Sequence, residues 1–131
     1  RSLCDHPRNL TDDQIKAIAA KNGVIGINAL SAFVVPSAAG RKASVDDLVS
    51  HVDHMAGLVG TDHIGIGFDF DGTFLDYSGM GKAIDVYDVI DGHRETPVFT
   101  SCLRKRGYSD ADIAKVVGGN VLRVLDQVWV K

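Results

Sequence analysis

The chain has 131 residues, 45% of them hydrophobic and 24% charged, with a formal net charge of −3 at pH 7. That balance is typical of a folded globular protein and excludes an intrinsically disordered one. Basic residues are scattered, and the densest run, Arg104-Lys105-Arg106, reads as a solvated helix end, so the electrostatics exclude a nucleic-acid partner.

Taken in chain order, Asn9 or Thr11 can cap a helix running to about Lys21. Asp12 and Asp13 suit its positive N-terminus, and Ile15, Ile18 and Ala19 recur at helical spacing. Asn22-Gly23 stops it. Val24 to Asn28 is apolar on both faces and too short for a helix, the pattern of a buried parallel strand. A Pro/Ser/Ala/Gly stretch from Val35 to Arg41 reads as a loop. Ser44 with Asp46 and Asp47 opens a second helix, whose stripe of Val45, Leu48, Val52, Met55 and Leu58 continues to Gly60.

His63 to Phe68 is a second apolar strand, and Gly72 to Gly92 is irregular. Thr96 to Arg106 reads as a helix closed by Gly107. Ser109 opens another that Gly118-Gly119 ends, and Asn120 caps a last one with Val121, Leu122, Leu125 and Val128 on one face. The alternation of helices and strands predicts an α/β fold with parallel strands. Two strands leave open edges that other polypeptide must cover, as in the closing portion of a (β/α)₈ barrel. Function in such a barrel gathers at the C-terminal ends of the strands, here Asn28 to Ser31 and Asp69 to Gly72.

No run approaches the roughly 20 apolar residues that span a bilayer, and the N-terminus lacks a signal-peptide pattern. Starting at Arg1 without Met suggests a processed or truncated product, and the compartment, cytoplasmic or exported, stays open. Cys4 and Cys102 match neither a CxxC pair nor a zinc finger. Free thiols are expected, with a bridge left open for an exported protein.

The strongest chemical signal is the strand that ends in Phe68-Asp69-Phe70-Asp71-Gly72. Carboxylates there can bind metal, accept a proton from water or hold an amine, whereas the plainer reading is a strand-ending turn whose Asp side chains bond local amides. Two families end a strand in this way. Asp69-Phe70-Asp71-Gly72-Thr73 resembles the nucleophile motif of haloacid-dehalogenase-like phosphatases, which implies Asp69 as nucleophile, Asp71 as acid/base and Mg²⁺ between them. That family places the motif early and follows it with a lysine and a late acidic pair, and no apolar strand ending in paired Asp remains downstream here.

The second resemblance, to the renal (membrane) dipeptidase family, runs over most of the chain. Arg1-Ser2-Leu3-Cys4-Asp5-His6-Pro7-Arg8-Asn9 with its Thr-Asp-Asp helix start resembles the segment after that family's last metal-binding histidine. Gly23 to Asn28 resembles its seventh strand, Val45 to Gly60 the helix that follows, and Gly65 to Gly72 its eighth strand and metal-site loop. Arg106 to Ile113 and Gly118 to Leu125 resemble its closing helices.

The resemblance implies that residues 1–131 are a single segment, the C-terminal third of a (β/α)₈ TIM barrel with an amidohydrolase-like binuclear zinc site that activates water against a dipeptide amide. It carries Arg8 onto the grip on the substrate carboxylate and Asp69 onto the attacking water or substrate amine, with Asp71 the lesser of the two carboxylates. Without the resemblance, Arg8 reads as a surface arginine at a helix entrance. Ala29-Leu30 stands where the family usually has an aromatic pair, so a changed substrate preference or a remodelled loop is expected.

The family's metal ligands all fall before residue 1, so this chain is expected to supply none and to be inactive without its N-terminal partner segment. His51 and His54 share a helix face, yet zinc asks for at least three protein ligands, and His6 and His93 lie on remote loops. Both read as solvent-facing or hydrogen-bonded helix histidines. A homo-oligomer, and a non-catalytic remnant serving as a binding module, stay open beside the enzyme reading.

Overall fold

A computed structural model describes residues 1–70 and 86–129. The first helix, α1, spans Asp12–Ala20, and Thr11 and Gln14 close a reciprocal capping box at its start. Asn22, in the left-handed region at φ 57, turns the chain into strand β1, Ile25–Ile27. A single helical turn, α2 (Ser31–Val34), follows in a stretch to which the sequence pattern assigns no element, and a 3₁₀ turn at Ser37–Ala39 interrupts the predicted loop after it. Four residues give too little periodicity to reveal α2 in advance.

Helix α3, Val45–Val59, begins on a Ser44–Asp47 capping box and presents Leu48, Val49, Val52 and Met55 to the core. A 3₁₀ turn, Thr61–His63, leads into β2, Ile64–Ile66. The strands pair in parallel, with Ile25 opposite Ile64 and Ile27 opposite Ile66, and α3 is the crossover between them. A Cβ on Gly26 would meet the Gly67 Cα at 3.1 Å, and one on Gly67 the Gly26 Cα at 3.0 Å. Glycine at both positions therefore lets the strand ends stay close.

Helix α4, Thr96–Lys105, closes with Gly107 at φ 92, as its sequence predicts. Arg106 donates to Asp53 at 2.6 Å and the Tyr108 hydroxyl to the same carboxylate at 2.8 Å, stapling the end of α4 to α3. The closing helices differ from expectation. Helix α5, Asp110–Ala114, passes through a π-helical turn, Lys115–Gly119, directly into α6, Asn120–Val128. Gly118-Gly119 thus widens a continuous helix, and Asn120 caps nothing. Its amide donates instead to the carbonyls of Thr61 (2.7 Å) and Ile64 (2.8 Å).

The core joins Ile27, Ala29, Ile64 and Phe68 of the strand region to the buried face of α3 and to Phe99, Leu103, Ile113 and Val116 of the closing helices. Phe68 and Phe99 meet edge to face with centroids 5.2 Å apart. The cover is incomplete. Among the described residues neither strand has a second strand neighbour, and the α6 stripe leaves Leu122 63%, Val128 62% and Trp129 71% exposed. No helix among the described residues is long and apolar enough to cross a membrane.

Candidate functional site

Parallel pairing continues past the regular strands, with Gly67 N–H donating to the Ile27 carbonyl (3.2 Å) and Ala29 N–H to that of Phe68 (3.0 Å). These two bonds bracket Asn28 and carry the chain to Asp69. There the backbone turns left-handed, at φ 56. Phe68 and Phe70 pack together at 5.4 Å, and Phe70 meets His93 edge to face at 4.8 Å, while Asp69 between them is exposed. The Asn28 side-chain amide donates to Asp69 Oδ2 at 3.1 Å. The expectation for Asp71 lies outside the described residues.

Arg8 belongs to a loop held by Asn9, whose amide donates to the carbonyls of Cys4 (3.0 Å) and Phe33 (2.9 Å). His6 Nδ1 accepts from the Arg8 backbone N–H at 3.3 Å, and the His6 ring lies 4.7 Å from that of Phe33. Phe33 also carries the Arg8 guanidinium over its face, 5.0 Å from the ring centroid. Among the described residues no carboxylate pairs with Arg8. Its fork is exposed at a cavity of about 200 Å³ whose lining includes Asn28, Phe33, His51 and His54. Asn28 therefore touches both halves of the site, lining the cavity of Arg8 and holding Asp69.

Each helix histidine bonds one ring nitrogen within the protein. His51 Nε2–H donates to the Val34 carbonyl at 2.9 Å, and burial holds its imidazole below the usual histidine range. His54 Nε2–H donates to Asp12 at 2.8 Å, tying α3 to α1, and this bond holds the Asp12 carboxyl below the usual range. Among the described residues no three His, Cys, Asp or Glu side chains gather where they could hold a metal ion. Cys4 and Cys102 are free and buried, and burial raises both thiols.

Asn28, Phe33 and Asn9 are supporting side chains to which the sequence reading gives no part in the site; Asn9 is there only a candidate cap of α1, a place that Thr11 takes. Asn28 carried a signal, a polar residue ending an apolar strand. Phe33 and Asn9 carried none, because their roles depend on a loop and a helical turn meeting across the strand ends.

The family model for membrane dipeptidase (peptidase family M19) matches residues 1–130. The chain is 35% identical to a dipeptidase of Clonostachys rogersoniana over 97% of its own length and 29% of that protein's, and 34% identical to an uncharacterized dipeptidase of Schizosaccharomyces pombe over 95% and 28%. A metallopeptidase from Rhodobacter sphaeroides, solved with a phosphinate mimic of the dipeptide L-Ala-D-Ala, superposes with a TM-score of 0.78 at 25% identity, covering 98% of this chain and 34% of that one. The probable dipeptidase PvdM from Pseudomonas aeruginosa superposes at 0.72 with 27% identity, covering 94% and 41%. None of these proteins is named as a phosphatase. The chain spans between roughly a quarter and a half of the length of the curated relatives it matches, from 28% to 44%.

Proposed function

Since the chain belongs to the membrane dipeptidase family, we propose that it forms the C-terminal part of a (β/α)₈ barrel that hydrolyses dipeptides with metal-activated water. The observation that carries this reading is the convergence of an exposed Asp69 carboxylate and an Arg8 guanidinium with no carboxylate partner among the described residues on one intervening side chain, Asn28, at the C-terminal ends of parallel strands. The open strand edges and the bare stripe on α6 are then surfaces that the rest of the parent barrel covers.

In this reading the Arg8 fork pairs with the terminal carboxylate of the dipeptide, a match of two parallel N–H donors to two oxygens. Stacking on Phe33 limits the orientations that the fork must give up on binding. Asp69 takes the proton of the attacking water or holds the substrate amino group. The described residues do not fit the binuclear zinc implied by the family resemblance, so its ligands are assigned to the remainder of the parent. The chain by itself is inactive.

The test is hydrolysis of dipeptides by the full-length parent, assayed beside Arg8→Ala and beside the same dipeptides amidated at the C-terminus. Losing a charge-assisted pair raises KM about 10- to 100-fold. The amidated substrate, which has no carboxylate to grip, shows little further loss in the variant. A parent that does not cleave dipeptides, or an Arg8→Ala variant with unchanged KM, overturns the reading, and Mg²⁺-dependent hydrolysis of p-nitrophenyl phosphate by the parent transfers it to Asp69 and Asp71 as phosphatase carboxylates.

A further inference from the structure

We propose that Asn28 is a positioning residue that orients the Asp69 carboxylate for hydrolysis, an inference that rests on the role of Asp69 given above. The orientation of its amide follows from the bonding. Asn28 Oδ1 accepts from the Leu30 backbone N–H at 2.8 Å, and only an oxygen can do so. The NH₂ group is therefore the part that faces Asp69, at 3.1 Å from Oδ2.

The backbone of Asn28 is equally constrained. The bond from Gly67 to Ile27 and the bond from Ala29 to Phe68 fix the residues on either side of it. Asp69, by contrast, is exposed and sits at a left-handed turn where the strand pairing ends. Without a partner its carboxylate would rotate among several rotamers. One amide bond to Oδ2 removes that freedom and leaves Oδ1 to meet a reacting atom. Because the donor is neutral, it fixes direction without cancelling charge. An aspartate at position 28 would set two carboxylates against each other, and a serine would be too short to bridge.

The effect is read in the full-length, metal-loaded parent by steady-state kinetics on a dipeptide, with thermal melts as a control for folding. Asn28→Ala and Asn28→Ser are compared, since the serine hydroxyl still accepts from Leu30 N–H but does not reach Asp69. Both are expected to lower kcat about 10- to 100-fold, the range for one bond to a charged group, with KM within about twofold. Asn28→Asp falls at least as far.

The discriminating measurement is Asn28→Ala added to Asp69→Asn. If Asn28 acts through Asp69, the second change alters the residual rate by less than about twofold. A full additional loss in that background, a change confined to KM, or rescue by Asn28→Ser shows that the amide only shapes the loop, and this inference falls while the role of Asp69 stands. Wild-type kcat in Asp69→Asn removes the role of Asp69, and this inference with it.

Discussion

The Asn120 amide donates to the carbonyl of Ile64 at 2.8 Å from within a continuous helix, so the last helix is keyed to the first residue of the second strand. The same amide reaches Thr61 at 2.7 Å, and the side chain is 3% exposed. Removing it takes away the buried Ile64 carbonyl's side-chain donor, whereas the Thr61 carbonyl still accepts from the Ile64 N–H. Asn120→Ala is expected to destabilise the protein by about 1 to 3 kcal/mol, measured by urea denaturation, the cost of one stranded buried polar group. Asn120→Asp, nearly equal in size but unable to donate when ionised, is expected to do no better. A midpoint that moves for neither variant would falsify the keying role.

That contact also shows where the sequence could and could not be read. Thr11 with Gln14 and Ser44 with Asp47 are local devices, complete within four residues, and both helix starts follow from them. Gly118-Gly119 carries an equally local signal for a helix end, yet the helix runs on through a π turn. Its widening sets Asn120 under β2, where a Cβ on Gly119 would come within 3.3 Å of the Ala114 carbonyl. The two candidate residues follow the same division. A carboxylate at the end of an apolar strand, as Asp69 is, is legible from period and position. The amide that holds it is not, because the bond exists only after two strands pair in register.

Asp69 occupies a left-handed backbone conformation at φ 56, which aspartate tolerates and a β-branched residue does not. Asp69→Val is therefore expected to be less stable than Asp69→Gly by about 1 to 2 kcal/mol, the penalty that glycine escapes. Both replacements lose the bond from Asn28, so the comparison isolates the backbone. Urea midpoints of the two variants decide it, and equal values would mean that the chain relaxes out of the left-handed region when the carboxylate is gone.

Burial keeps His51 neutral in the folded state to lower pH than in an unfolded chain, where the imidazole titrates near pH 6.5. The sign follows directly. Below about pH 6.5 the unfolded state gains a proton that the folded state refuses, so stability is full above that value and falls as the pH drops until the folded imidazole also protonates. His51→Gln keeps an N–H for the Val34 carbonyl but cannot titrate. The loss in urea midpoint between about pH 7.5 and pH 5.5 is expected to be smaller in this variant than in the wild type. An equal loss in both proteins assigns the acid sensitivity to other groups.

Phe33 serves the core and the site at once, being 9% exposed while its face carries the Arg8 guanidinium at 5.0 Å and its ring meets His6 at 4.7 Å. The two roles separate by choice of substitution. Phe33→Ala opens a cavity and is expected to cost about 3 to 5 kcal/mol, which says nothing about Arg8. Phe33→Leu keeps most of the apolar volume, at a cost of under about 1.5 kcal/mol, but removes the aromatic face. A stacked cation at an exposed site is worth about 0.5 to 1 kcal/mol, so Phe33→Leu should raise KM for a dipeptide about two- to fivefold in the full-length parent and leave kcat nearly unchanged. The increase should vanish for a dipeptide amidated at its C-terminus, because Arg8 then has no carboxylate to hold. A KM shift of the same size for both substrates would mean that the ring shapes the cavity rather than aiming the guanidinium.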